Sequence, residues 1–137
     1  MKTTFKLMII NILVVAMAHA HGEDQQGPHG GEIRMPGAFH TELVQKKPNS
    51  FLVYLLDIDW KNPVTQNSSV EASIMKANTN TNLTCISNKD HFECKSPTRL
   101  TSFKNGEELT IKAVREGATG GLAVYKLPLR RHLSKTK

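Results

Sequence analysis

The sequence predicts an all-β protein: a single immunoglobulin-like or cupredoxin-like β-sandwich of about seven strands, preceded by a cleaved signal peptide. Three observations carry this. From Gly31 onward, apolar residues alternate with period two or form short unbroken runs, with no helical period. Turn residues punctuate the runs, at Met35-Pro36-Gly37, Asn105-Gly106 and 117–121. The chain has 137 residues, 39% hydrophobic and 22% charged, enough for one domain with a modest core.

Residues 1–20 are read apart from the fold. Lys2 and Lys6 form a basic segment, 7–18 is almost wholly apolar, and Ala18-His19-Ala20 supplies the small residues a signal peptidase requires. The apolar run is short for a bilayer span. Cleavage after Ala20 makes His21 the first residue, and Ala16-Met17-Ala18 offers a second site two residues earlier. A leader of this kind directs the protein to the periplasm or the exterior. Lys2 and Lys6 leave with it, so 16 Lys and Arg face 12 Asp and Glu, a net charge of +4. Arg130, Arg131, Lys135 and Lys137 account for all of that excess. The expected organisation is a flexible His-containing arm at 21–30, the sandwich at 31–129 and a basic tail at 130–137.

The strands follow in order. Residues 39–45 form the first, after the Pro-Gly turn. Residues 50–57 are nearly continuous apolar, the pattern of a central strand covered on both faces. In 70–77, Val70, Ala72 and Ile74 point one way and Glu71 and Ser73 the other. Cys85 and Cys94 flank a hairpin turn. With Lys89-Asp90 as a two-residue loop, the pairs run 88:91, 87:92, 86:93 and 85:94. That puts the cysteines on a non-hydrogen-bonded pair, where opposite residues approach most closely. A secreted protein meets an oxidising compartment, so a Cys85–Cys94 disulfide sharing the core face with Leu83 and Phe92 is expected. In 109–115, Leu109, Ile111 and Ala113 oppose Thr110, Lys112 and Val114, and 121–129 closes the set.

Composition excludes several functions. Aromatics make up 6% with one Trp, too few for a single-strand nucleic-acid platform, and the basic excess is a tail rather than a face. No nucleic-acid partner is expected; the tail fits weak contact with an anionic membrane surface. No Gly-x-Ser-x-Gly elbow, His-Glu-x-x-His helix or reactive Cys is present, so no enzymatic turnover is expected. Asn67-Ser68-Ser69 and Asn82-Leu83-Thr84 match the glycosylation acceptor pattern, which has meaning only in a eukaryotic secretory pathway.

Chemistry concentrates in 21–42, which holds His21, His29 and His40. His40 and Glu42 are two apart on a strand and share a face. His29 precedes Gly30-Gly31, in a loop able to turn its ring toward that face. Imidazole nitrogens with one carboxylate suit Zn, Cu or Ni. A free amino-terminal His21 would chelate through its α-amine and ring together, favouring Cu(II). The expected metal residues are therefore His21, His29, His40 and Glu42.

Gly27-Pro28-His29-Gly30-Gly31, Phe39-His40-Thr41-Glu42-Leu43-Val44, Phe51-Leu52-Val53-Tyr54-Leu55-Leu56-Asp57 and Pro63-Val64 together resemble a small periplasmic metal-binding β-domain. That domain occurs alone or ahead of heavy-metal efflux adaptor subunits of the resistance-nodulation-division type. The resemblance is strongest over 27–64, and the cysteine pair is not part of the pattern. It implies a small β-sandwich that handles copper, zinc or related ions, with His29, His40 and Glu42 as ligands. The expected function is metal buffering, delivery or resistance, with a metal efflux or delivery protein as partner. The alternative is an envelope-associated interaction module whose histidines are incidental.

Overall fold

The computed structural model describes residues 25–98, 100, 103 and 106–130. The expected leader, His21 and the tail beyond Arg130 lie outside the described residues. The described part is all-β, with ten strands: β1 (Glu32–Arg34), β2 (His40–Lys47), β3 (Ser50–Leu56), β4 (Ser69–Lys76), β5 (Thr79–Asn82), β6 (Thr84–Ser87), β7 (Phe92–Lys95), β8 (Glu107–Arg115), β9 (Ala118–Thr119) and β10 (Ala123–Leu127). They form two antiparallel sheets. The first has the order β1-β2-β3-β7-β6; the second runs β10-β8-β4-β5, with β9 also pairing β8.

The alternating strands place their apolar sets inward as patterned. Val70, Ala72 and Ile74 of β4 and Leu109, Ile111 and Ala113 of β8 meet Leu43, Phe51, Val53, Leu55, Phe92 and Cys94 of the first sheet. Three short strands had no alternation to reveal them. β1 is only Glu-Ile-Arg, and β5 is Thr-Asn-Thr-Asn, a polar edge. The two residues of β9 follow a turn at Glu116-Gly117, both at positive φ (48° and 84°), the geometry that suits the twist of a tight hairpin. The segment 117–121 is thus part turn and part ladder.

The β6–β7 register is Thr84↔Lys95, Cys85↔Cys94, Ile86↔Glu93 and Ser87↔Phe92, the pairing expected from a Lys89-Asp90 loop. Cys85 and Cys94 are disulfide-bonded with Cα atoms 4.0 Å apart. Cys94 and Phe92 lie in the main core with Leu83, and Cys85 packs against it. A buried polar link also joins the two sheets. Tyr125 of β10 donates its phenol hydrogen to the Thr41 carbonyl at 2.9 Å and lies 2.6 Å from the Thr41 hydroxyl. Burial pushes the Tyr125 phenol well above its ordinary range, keeping it a neutral donor.

β3 is buried on both faces because the first sheet carries a second apolar layer on its outer side. Ile33, Tyr54 and Leu56 form this cluster, with Val44, Leu52 and Trp60 packed around them. Two connections cover it: the turn at 27–31 and the loop at 57–62. The candidate site lies there.

Candidate functional site

On the outer face of the first sheet, Ile33, Glu42 and Tyr54 stand side by side across β1, β2 and β3. Because Val53 pairs with Phe92, the next position of the ladder sets His91 beside Tyr54; their ring centroids are 5.3 Å apart. His40 lies two residues from Glu42 on the same face, paired with Leu56. Sequence periodicity put His40 and Glu42 together, and the structure does the same.

The 27–31 turn is built onto this face. Gly30 donates its N–H to the Gly27 carbonyl, and Gly27 to that of Gly31. The glycines are required by proximity. A Cβ on Gly27 would collide with the Glu42 carboxylate, and one on Gly31 with the Leu43 carbonyl. From Gly27 on, the segment expected to be a loose arm is therefore a turn seated against β2.

Glu42 holds that turn. Its carboxylate is fully buried, and Oε1 accepts the backbone N–H groups of His29 at 2.8 Å and Gly31 at 2.9 Å. Oε2 takes a third bond, from His29 Nδ1 at 2.7 Å. The His29 ring lies flat on Tyr54, with centroids 3.7 Å apart and planes 2° from parallel. Both oxygens of Glu42 are thus occupied by the turn, and the ring is fixed in position and in tautomer. Among the described residues, nothing hydrogen-bonds His29 Nε2, and the side chain keeps 31% of its surface exposed.

His40 is held differently. It is buried, its Nδ1–H donates to the Asp57 carbonyl at 3.1 Å, and its ring meets the edge of Trp60. Asp57 organises the loop that makes this possible. Oδ1 accepts the N–H groups of Asp59 (3.0 Å) and Lys61 (2.8 Å), and Oδ2 accepts the Asn62 amide at 2.7 Å. Those bonds, led by the one from Lys61, hold the Asp57 carboxyl below its ordinary range. They also hold Trp60 and Asn62 at positive φ (63° and 50°).

His91 completes the face. Its Nδ1–H donates to Asp90 Oδ1 at 2.7 Å, and the Asn88 side-chain amide donates to its Nε2 at 3.3 Å. That first bond lowers the Asp90 carboxyl below its usual value, helped by the nearby His29. Burial, with the negative charges of Asp90 and Glu42, raises the Tyr54 phenol.

Of the expected metal residues, the structure brings His29 and Glu42 into contact and puts His40 on the same face; His21 lies outside the described residues. Among the described residues, no three His, Cys, Asp or Glu side chains are grouped to hold one ion together. His29, His40 and Glu42 are therefore not a closed three-ligand shell by themselves. A groove of about 560 Å³ beside Gly31, Val44, Lys46 and Arg130 adjoins the face and contains none of the histidines. His91 and Asp90 were missed because they lie fifty residues from the motif, and only the β3–β7 pairing brings them to Tyr54. No known protein family matches the chain, and no curated protein or solved structure shows significant similarity to it.

Proposed function

We propose that the protein is a secreted or periplasmic binder of a transition-metal ion of the copper or zinc type, serving buffering, delivery or resistance without turnover. The ion is cargo. The observation that supports this reading is the treatment of the imidazoles on the outer face. His29 and His40 each give their Nδ1–H to a fixed oxygen, a carboxylate for His29 and a carbonyl for His40. That is how metal-binding histidines are oriented, with Nε2 left to meet the ion. In this reading His29 is the accessible ligand and Glu42 acts through it, orienting the ring and raising its basicity. His40 and the amino-terminal His21 supply further nitrogens, a set suited to Cu(II), with Zn or Ni also accommodated.

The test is a competitive Cu(II) titration near neutral pH, using protein from the secreted fraction with its amino terminus confirmed by intact mass. Both a free α-amine and an imidazole must lose protons to bind, so the start of the chain matters. Adding one residue before His21, or replacing His29 with Ala, is expected to weaken binding about ten-fold, roughly 1.4 kcal/mol. His132→Ala is expected to change nothing. Equal affinity of the native and extended forms would remove His21 from the set. Absence of tight binding by the native protein would favour the interaction-module reading instead.

A further inference from the structure

The sequence motif contributes two histidines to the face, but the fold supplies a third from a distant hairpin. His29 and His91 both contact Tyr54, one stacked on its ring and the other tilted against it at 44°. Each is anchored through Nδ1 to a carboxylate at 2.7 Å, Glu42 for His29 and Asp90 for His91. Each side chain is partly exposed, 31% and 22%. His40, by contrast, is almost wholly buried, anchored on a carbonyl and edged by Trp60. The Asn88 side-chain amide lies 3.3 Å from His91 Nε2, a long and exposed contact directed at that nitrogen's lone pair. A metal ion asks for the same lone pair.

We propose that His91 is a metal ligand sharing an ion with His29 across the Tyr54 ring, with Asp90 as its orienting carboxylate and Asn88 as the donor the ion displaces. This rests on the metal-binding reading above and changes its geometry. The ion then ties the 27–31 turn to the β6–β7 hairpin, and binding draws together two connections that both contact Tyr54. A paired carboxylate–imidazole set of this kind takes a divalent ion such as Zn(II) or Cu(II). The closed β6–β7 hairpin, crosslinked by Cys85–Cys94, is a stiff support for a ligand at its turn.

The experiment uses Zn(II), which is diamagnetic and lets imidazole nitrogens be followed by NMR in the full mature protein. On saturation, the Nε2 resonances of His29 and His91 are expected to move together. His91→Ala is expected to lower Zn(II) affinity at least ten-fold, and Asp90→Asn by a smaller factor. The wild-type NMR readout needs no variant to fold. Should Zn(II) move only His29 and His40, with His91→Ala binding normally, the proposal fails and the metal-binding reading survives. If neither Zn(II) nor Cu(II) binds the wild-type protein, both are overturned.

Discussion

On the outer face of the β10-β8-β4-β5 sheet, Glu71 stands opposite Lys112, and Ser73 shares a 2.9 Å hydroxyl hydrogen bond with Thr110. Met75 and Lys126 flank Glu108 from the strands on either side. That face is a ladder of side chains open to water. The outer face of the other sheet carries Ile33, His40, Glu42, Val44, Leu52, Tyr54 and Leu56, and Glu42 is more deeply buried than most of the apolar residues. Both faces are made by the odd-even alternation of antiparallel strands. They differ in what lies over them. Among the described residues nothing covers the first, so its charges are solvated and exchangeable. A turn and a loop cover the second, so each polar group there must find a partner in the protein.

The sharpest way to break this comparison is to remove one glutamate from each face. Glu42→Ala leaves the His29 and Gly31 backbone N–H groups and the His29 ring without an acceptor. Unpaired buried donors cost about 1–3 kcal/mol each, less where the turn can lift into water, so a loss on the order of 3 kcal/mol is expected. Glu71→Ala removes only a solvated side chain and is expected to stay within about 0.5 kcal/mol of wild type. Urea unfolding of the two variants decides the matter. Similar losses would mean the covered face is no more demanding than the open one.

The disulfide comes next. It secures the hairpin whose turn holds Asp90 and His91 against Tyr54. Closing so short a loop is worth roughly 2–3 kcal/mol in the chain-entropy account. Replacing Cys85 and Cys94 with Ser is expected to lower stability by that amount, and native protein is expected to show no reactive thiol before denaturation and reduction. Two titratable thiols in the native oxidised protein would contradict the crosslink.

The sequence made the open face easy to read and the covered face hard. Val70, Ala72 and Ile74 against Glu71 and Ser73 announce their own sides, because water selects for polarity on one of them. In β3 the run Phe-Leu-Val-Tyr-Leu-Leu showed that both sides are covered but not by what. The cover comes from Pro28-His29-Gly30 and from the Asp57–Asn62 loop, neither of which has a period. His40 with Glu42 was legible as one strand face, and the Cys85–Cys94 register followed from counting out from the turn. Asp90 and His91 were not legible, because their place depends on the β3–β7 register, a pairing between strands far apart in the chain.

A smaller effect sharpens the role of Tyr54, on which His29 lies. Tyr54→Phe keeps the flat aromatic surface, whereas Tyr54→Leu removes it. Aromatic pairs of this kind contribute about 0.5–1.5 kcal/mol beyond buried area. The Leu variant is expected to lose about 1 kcal/mol and to release the His29 ring, seen as averaging of its imidazole resonances; the Phe variant is expected to retain both. Equal behaviour of the two would show that Glu42 alone fixes the ring.

The smallest expected effect concerns the second cover, the loop organised by Asp57. The Asp57 carboxyl lies below its ordinary value because the Lys61 N–H leads a set of donors that the charged form accepts, burial working against it. A folded-state pKa lowered in this way adds stability above the unfolded value, near 3.9, and loses it as pH falls through the folded one. Protonation weakens the bonds from Asp59, Lys61 and Asn62, and with them the placement of Trp60 and of the carbonyl that holds His40. Trp60 is the sole tryptophan, so its fluorescence reports on this loop without interference. Below about pH 4 the wild-type emission is expected to shift before the far-ultraviolet β signal changes, since the sandwich core does not depend on the loop. In Asp57→Asn, which cannot titrate, the emission is expected to be already displaced at neutral pH and flat across the same range. Coincident fluorescence and β-signal transitions in the wild type would show that this loop belongs to the cooperative core, not to a separate cover laid over the face.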